Sequence, residues 1–210
     1  KDFAYISCAG TTPFVLDVAK SLPVNKVQEL VAYAKANPGK LNFGSAGLGN
    51  SAHLAAELFK QTTGVDMVHI PYKGNALAMV DLVGGQIQVL FDPVQTSLVQ
   101  IRGDKIKPLA VTSSARFADL PDVPTIAESG YPSYEFVVWY ALVAPAATPA
   151  PIVARLNAEI NKILVEPEMK ARFSSLGANL QASTPDGCAS YVKKEFTQWG
   201  KLMKDVGIVP

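Results

Sequence analysis

The sequence predicts an α/β fold, and three observations predict it. Short apolar runs alternate with amphipathic helical stretches from residue 24 to residue 112. Glycine, proline and asparagine punctuate the junctions between them. Of 210 residues, 49% are hydrophobic and 18% charged, so the chain can fill the core of one large domain or two small ones and is not disordered.

Phe3 to Ala9 reads as a strand. Val24 to Asn37 sets Val27, Leu30, Val31 and Ala34 at helical spacing and stops at Asn37-Pro38-Gly39, which ends a helix and turns the chain. Leu41 to Ser45 follows as a strand, Ser51 to Thr63 as a helix, Met67 to Ile70 as a strand, and Ala76 to Val83 as a helix closed by Gly84-Gly85. Gln88 to Phe91, a helix from Thr96 to Ile101, and Lys107 to Thr112 continue the rhythm, which predicts a mostly parallel sheet covered by helices.

Beyond Thr112 the rhythm changes. Leu120 to Pro124 is a loop, Thr125 can cap a short helix ending near Gly130, and Glu135 to Ala144 is a strand long enough to join two subdomains. Three helices follow: Pro151 to Leu164, Glu168 to Leu176 closed by Gly177, and Pro185 to Val206 capped by Thr184. Their apolar faces need a sheet, and the tail offers only the ends of two strands, so part of one subdomain is expected to be missing.

Composition excludes several function classes. Nineteen Lys and Arg against eighteen Asp and Glu leave a charge of +1, which gives no field to attract nucleic acid or anionic lipid. The longest apolar run, Phe136 to Ala147, is interrupted by Pro145 and followed by Pro149, short of the roughly 18 to 20 residues that span a bilayer. The chain opens on Lys1-Asp2 with neither an initiator Met nor a signal region, as a mature or trimmed piece would. Cys8 and Cys188 are in no metal-binding spacing; they can pair, but separate buried thiols are the preferred reading. His53 and His69 have no carboxylate or Cys at ligand spacing, so no metal is expected. With no nucleophile elbow, no Cys paired with a motif His and no close pair of carboxylates, binding is favoured over turnover, and no cofactor is called for.

The stretch Phe43-Gly-Ser-Ala-Gly-Leu-Gly-Asn-Ser-Ala-His53 leaves a strand, crosses a Gly-rich turn and opens a helix. Gly47 and Gly49 let the main chain approach a ligand, Asn50 or Ser51 can cap the helix, and free N–H groups with the helix dipole favour a carboxylate or phosphate. The alternative is an ordinary strand-to-helix turn that uses glycine for its geometry. Gly47, Gly49 and Ala52 also satisfy a dinucleotide fingerprint, whose next strand should end in an acidic residue; it ends in Pro71-Tyr72-Lys73-Gly74 instead. Tyr72 and Lys73 suit an anionic or aromatic organic ligand, although a solvated Lys at a strand end is equally common. Asp92 ends the following strand on the same sheet edge, where it can accept from a ligand or cap the next helix.

Stretches along the whole chain resemble the Bug family of substrate-binding proteins of tripartite tricarboxylate transporters. They are Val31 to Asn42, Gly49 to Phe59, His69 to Gly74, Leu109 to Ser113, Leu120 to Thr125, Val143 to Pro149 and Arg155 to Glu159. The resemblance implies a periplasmic protein of the two-lobed type II binding-protein fold, which closes on a small carboxylated ligand and delivers it to a membrane permease. A turn from each lobe meets the ligand, whose carboxylate is held by backbone amides and water. Onto this chain the second-lobe turn maps as Ser45, Ala46, Gly47, Gly49, Asn50 and Ser51. Asp92 matches the family's Phe-Asp position, but Pro93 stands where Asn is frequent. The family's first-lobe Pro-Gly-Gly turn has no counterpart, so the first lobe is expected to be incomplete. Residues 11–136 are expected to form the second lobe, and 1–10 with 137–210 the rest of the first, joined by crossing strands. Uncovered apolar faces of that remainder are expected to drive self-association. Two other readings stay open: a nucleotide-binding enzyme built on Gly47, Gly49 and Ala52, and a proteolytic core that binds nothing.

Overall fold

The computed structural model describes residues 2–208. They form two compact units, one of residues 2–12 with 138–201 and the other of residues 13–137 with 202–208. The class is α/β with a mixed sheet.

In the larger unit, the spatial strand order is β3-β2-β4-β1-β5. Strands β2 (Asn42–Ser45), β3 (Val68–Pro71) and β4 (Val89–Pro93) run parallel, with Phe43 in register with both His69 and Val89. The C-terminal part of β1 (Phe3–Ala19) lies antiparallel between β4 and β5 (Ile106–Val111), with Leu16 opposite Phe91 and Ala110. The sheet is therefore mixed where a mostly parallel one was expected. Residues 10–19 extend the expected first strand, because Gly10 and Pro13 read as punctuation although Val15, Leu16 and Val18 are completely buried.

Helices α1 (Val27–Ala36), α2 (Ser51–Thr63), α3 (Asn75–Val83) and α4 (Val94–Arg102) connect these strands. The buried residues of α1 are the four that the helical spacing selects, Val27, Leu30, Val31 and Ala34. Helix α2 stops at Gly64, whose φ of 70° is the left-handed closure that glycine adopts without strain. One part of the core gathers Phe59, Phe91 and Tyr134, with the Tyr134 hydroxyl donating to the Ala55 carbonyl at 3.0 Å. Each such aromatic contributes roughly 2–3 kcal/mol by leaving water. A second part joins Ala78, Met79 and Leu82 of α3 to Ile87, Leu90 and Ile106. The helix expected after Thr125 is replaced by hydrogen-bonded turns. Thr125 and Glu128 do form the reciprocal capping box, at 2.8 and 2.9 Å, but Gly130 and Pro132 leave no room for a helix to grow.

In the smaller unit, the start of β1 pairs with β6 (Val137–Pro145) and with the two-residue β7 (Asn179–Leu180). Gly10 permits the second pairing, since a Cβ there would lie 2.5 Å from the Asn179 carbonyl oxygen. Helices α5 (Ala150–Val165) and α6 (Pro167–Ser175) carry a proline within their first two positions, and α7 spans Pro185–Asp205. The Asn157 amide ties α5 to the chain by donating to the carbonyls of Ile6 and Ser183, both at 2.7 Å. Cys8 and Cys188 form a disulfide, which corrects the preference for separate thiols. A separation of 180 residues concealed that β1 and the first turn of α7 bring the two Cα atoms within 5.1 Å. The described residues of α5 bury a single side chain, Leu164, against seven in α2, and leave Ile152, Ile163 and Val165 exposed.

Candidate functional site

The Gly-rich stretch forms the expected turn between β2 and α2. Gly47 and Gly49 have φ values of 126° and 73°, conformations that side-chain-bearing residues adopt only under strain. Asn50 is the helix N-cap, its Oδ1 accepting from the His53 N–H at 2.9 Å.

Three donors of this turn are already engaged. The Gly47 N–H donates to Ser45 Oγ at 3.1 Å, the Gly49 N–H to His53 Nδ1 at 2.9 Å, and the Asn50 N–H to the Gly47 carbonyl at 3.4 Å. The expectation that the amides of Gly47 and Gly49 face a ligand is corrected accordingly; these two glycines shape the turn. The N–H groups of Ala46, Leu48, Ser51 and Ala52 have no acceptor among the described residues. They stand at the positive end of the α2 dipole, where negative charge is favoured.

Behind the turn lies a feature that the sequence reading treated only as an absent metal site. His53 and His69 stack with centroids 3.8 Å apart and planes 9° from parallel, and Phe43 continues the stack, 5.0 Å from His69. Both imidazoles reach the turn: His53 accepts from Gly49, and His69 Nε2 bonds Ser45 Oγ at 2.7 Å. Because His53 Nδ1 accepts, its ring proton belongs on Nε2, the atom that faces Glu57 Oε1 at 3.7 Å. Lys60 Nζ closes on the same Glu57 oxygen at 2.8 Å. Burial alone would push the Glu57 carboxyl up, but the facing His53 and the hydrogen bond and charge of Lys60 outweigh it and hold the group below its ordinary value. His69 is pulled down to about 4, first by burial and then by the neighbouring His53. The available signals were His53 four residues after Gly49, in the first turn of α2, and His69 in register with Phe43.

The remaining expected residues are in place but occupied elsewhere. Asp92 is 1% exposed, accepting from Asn75 Nδ2 at 2.8 Å and from Thr96 Oγ1, so it braces the starts of α3 and α4. Burial raises its carboxyl to about 6, against the lowering effect of Thr96 and Asn75. It forms the floor of a groove of about 500 Å³ between α3 and α4, walled by Met79, Val80, Val83 and Val99. The Tyr72 hydroxyl donates to Asp81 Oδ2 at 2.7 Å, and its own proton is held to about 12 by burial and by that carboxylate. Lys73 is exposed. The strand following the fingerprint ends in Pro71, and no acidic residue stands there to hold a ribose. Among the described residues, no group of three or more His, Cys, Asp or Glu could hold a metal ion, and no helix is long and apolar enough to cross a membrane.

Comparison with known proteins agrees with this architecture. The family model described as the tripartite tricarboxylate transporter family receptor matches residues 1–208. A UPF0065 protein from the tcbD-tcbE intergenic region of a Pseudomonas species is 39% identical over 97% of this chain and 61% of its own length. Protein BugT of Bordetella pertussis is 35% identical over 99% of this chain and 64% of its own length. The chain thus spans less than two thirds of these relatives. Among solved structures, an R. palustris protein with adipate is 36% identical with a TM-score of 0.89, covering 100% of this chain and 70% of that one. MatC from Rhodopseudomonas palustris, with bound malate, is 29% identical with a TM-score of 0.80, covering 95% of this chain and 69% of that one. The fold is that of periplasmic binding proteins such as BugD, at a TM-score of 0.82. With sequence, architecture and family model in agreement along its whole described length, the chain belongs to the tripartite tricarboxylate transporter receptor family.

Proposed function

We propose that this chain is part of a periplasmic solute receptor that captures a small carboxylated organic molecule and passes it to the membrane permease of a tripartite tricarboxylate transporter. The observation that carries the reading is the set of N–H groups at Ala46, Leu48, Ser51 and Ala52, in the turn and at the start of α2, which meet no acceptor among the described residues. Together with Ser45, Gly47, Gly49 and Asn50, which build the turn, they suit a carboxylate and need no cationic side chain. Relatives with adipate and with malate support that ligand class. The Cys8–Cys188 disulfide supports an oxidising compartment such as the periplasm. Within this reading residues 11–136 are the ligand-binding lobe, joined by the 202–208 segment that clusters with the larger unit rather than, as expected, with the other lobe, and residues 1–10 with 137–201 belong to that other lobe.

Isothermal titration with adipate, malate and a monocarboxylate tests the proposal. Saturable 1:1 binding of a dicarboxylate is expected, weaker in this chain than in a full-length relative, because a receptor that closes over its ligand draws affinity from both lobes. Absence of binding by both proteins overturns it. Native mass spectrometry of the purified full-length protein identifies a retained ligand directly.

A further inference from the structure

We infer that His53 is a positioning residue for carboxylate capture, its neutral Nε2–H imidazole pinning the Gly49 amide so that the turn between β2 and α2 keeps its binding shape. The inference rests on the proposed carboxylate reading but has its own ligand-free readout. Two side chains fix the turn from behind. Ser45 holds Gly47 and is itself held by His69, and His53 holds Gly49. Gly47 and Gly49 are the two turn residues with positive φ, the positions where an unpinned main chain has most freedom to lose.

Only one form of His53 can do this. A proton on Nδ1 would set an N–H against the Gly49 N–H, which removes the acceptor and orphans the amide. The groups that bear on the choice come from every element packed here. Glu57 of α2 faces the Nε2 edge, Lys60 neutralises Glu57, and His69 of β3 covers one ring face. On the other side of Gly49, the atoms nearest a Cβ built there belong to the uncharged Ile208 and Met203. Glu57 is therefore the group that keeps the proton on Nε2, as a carboxylate does behind a metal-bound imidazole.

The test compares His53→Asn, whose Oδ1 stands near the place of Nδ1, with His53→Gln, whose polar end stands near Nε2, in the whole 210-residue chain. Circular dichroism first verifies folding. Hydrogen exchange at the Gly49 amide and the ¹⁵N shifts of the His53 ring are read without ligand, and adipate affinity is read separately. Expected are an unprotonated Nδ1 in the wild type, wild-type Gly49 protection in His53→Asn, and at least tenfold faster Gly49 exchange in His53→Gln. Loss of one such hydrogen bond should weaken adipate binding roughly three- to tenfold in His53→Gln, with rescue in His53→Asn. A proton on Nδ1, or equal Gly49 protection in both variants, overturns the inference whatever adipate does. If adipate fails to bind while the exchange pattern holds, the carboxylate reading fails and the pin stands. Glu57→Gln supplies a second check, since it should shift the ring toward the Nδ1–H tautomer and speed Gly49 exchange.

Discussion

Asn75 donates through Nδ2 to Asp92 at 2.8 Å, while its own Oδ1, closed off from solvent, meets no donor. The pair joins the first residue of α3 to the end of β4 and leaves an acceptor orphaned beside a buried carboxyl. The two donors favour the ionised carboxylate, but burial outweighs them, so the group contributes more stability protonated than charged.

A pH dependence follows, with a defined sign. Burial raises Asp92 to about 6, so the unfolded chain releases this proton near pH 4 while the folded chain still holds it. Stability from this group is complete below about pH 4, falls between about 4 and 6 by on the order of 3 kcal/mol, and is level above that. Chemical denaturation of the wild type and of Asp92→Asn across pH 4–8 should yield a difference curve confined to that window. Asp92→Asn should be the more stable protein at pH 7.5, because its amide can donate to a flipped Asn75.

The ligand donors can be deleted one at a time without breaking the helix. Ser51 is the first residue of α2 and Asn50 before it has ψ of 171°, the backbone that proline tolerates at both positions. Ser51→Pro removes one N–H and should weaken dicarboxylate binding roughly three- to tenfold, whereas Ser51→Ala, which keeps the N–H, should lose no more than about twofold. Titration calorimetry with helix content checked by circular dichroism decides the matter; equal losses in both variants would assign the contact to the hydroxyl.

Reduction of the disulfide should cost about 2–5 kcal/mol, because it releases a loop closed over 180 residues. Differential scanning calorimetry with and without a phosphine reductant measures it. The smaller unit, which contains both cysteines, should lose structure first.

Self-association is expected of the smaller unit. Phe196 is 81% exposed on α7, and Ile152, Ile163 and Val165 leave α5 with an apolar face toward water. Sedimentation velocity should reveal a mass that grows with concentration, reduced in Phe196→Glu. A chain that stays monomeric at hundreds of micromolar would contradict this.

Much of this organisation was legible in the sequence where periodicity and punctuation agree. Helix α1 announced its buried face at Val27, Leu30, Val31 and Ala34, and α2 its span from Ser51 to Thr63. Failures came where long-range contacts override local signals. The middle of β1 looks like a turn because Gly10 and Pro13 punctuate it, yet the sheet pulls it straight. Cys8 and Cys188 gave no hint of their meeting, since only the finished β1 and α7 bring them together. In the candidate site the turn itself was readable, but the allocation of its donors was not. That Gly49 donates to His53 and Gly47 to Ser45 depends on a β3 residue, His69, arriving beside α2. The same holds for Asp92 and Tyr72, whose polar atoms are taken up by Thr96, Asn75 and Asp81.

The bond between Cys8 and Cys188 also makes most of the polypeptide a covalent ring. A protease that cuts once anywhere from Ala9 to Gly187 opens the ring without releasing a piece, and the nicked molecule keeps its mass but for one added water. Such damage escapes detection on a non-reducing gel and appears as two bands only after reduction. The ring also supplies a ready design route, because new ends can be introduced at an exposed turn while the old ones remain tethered to each other through sulfur.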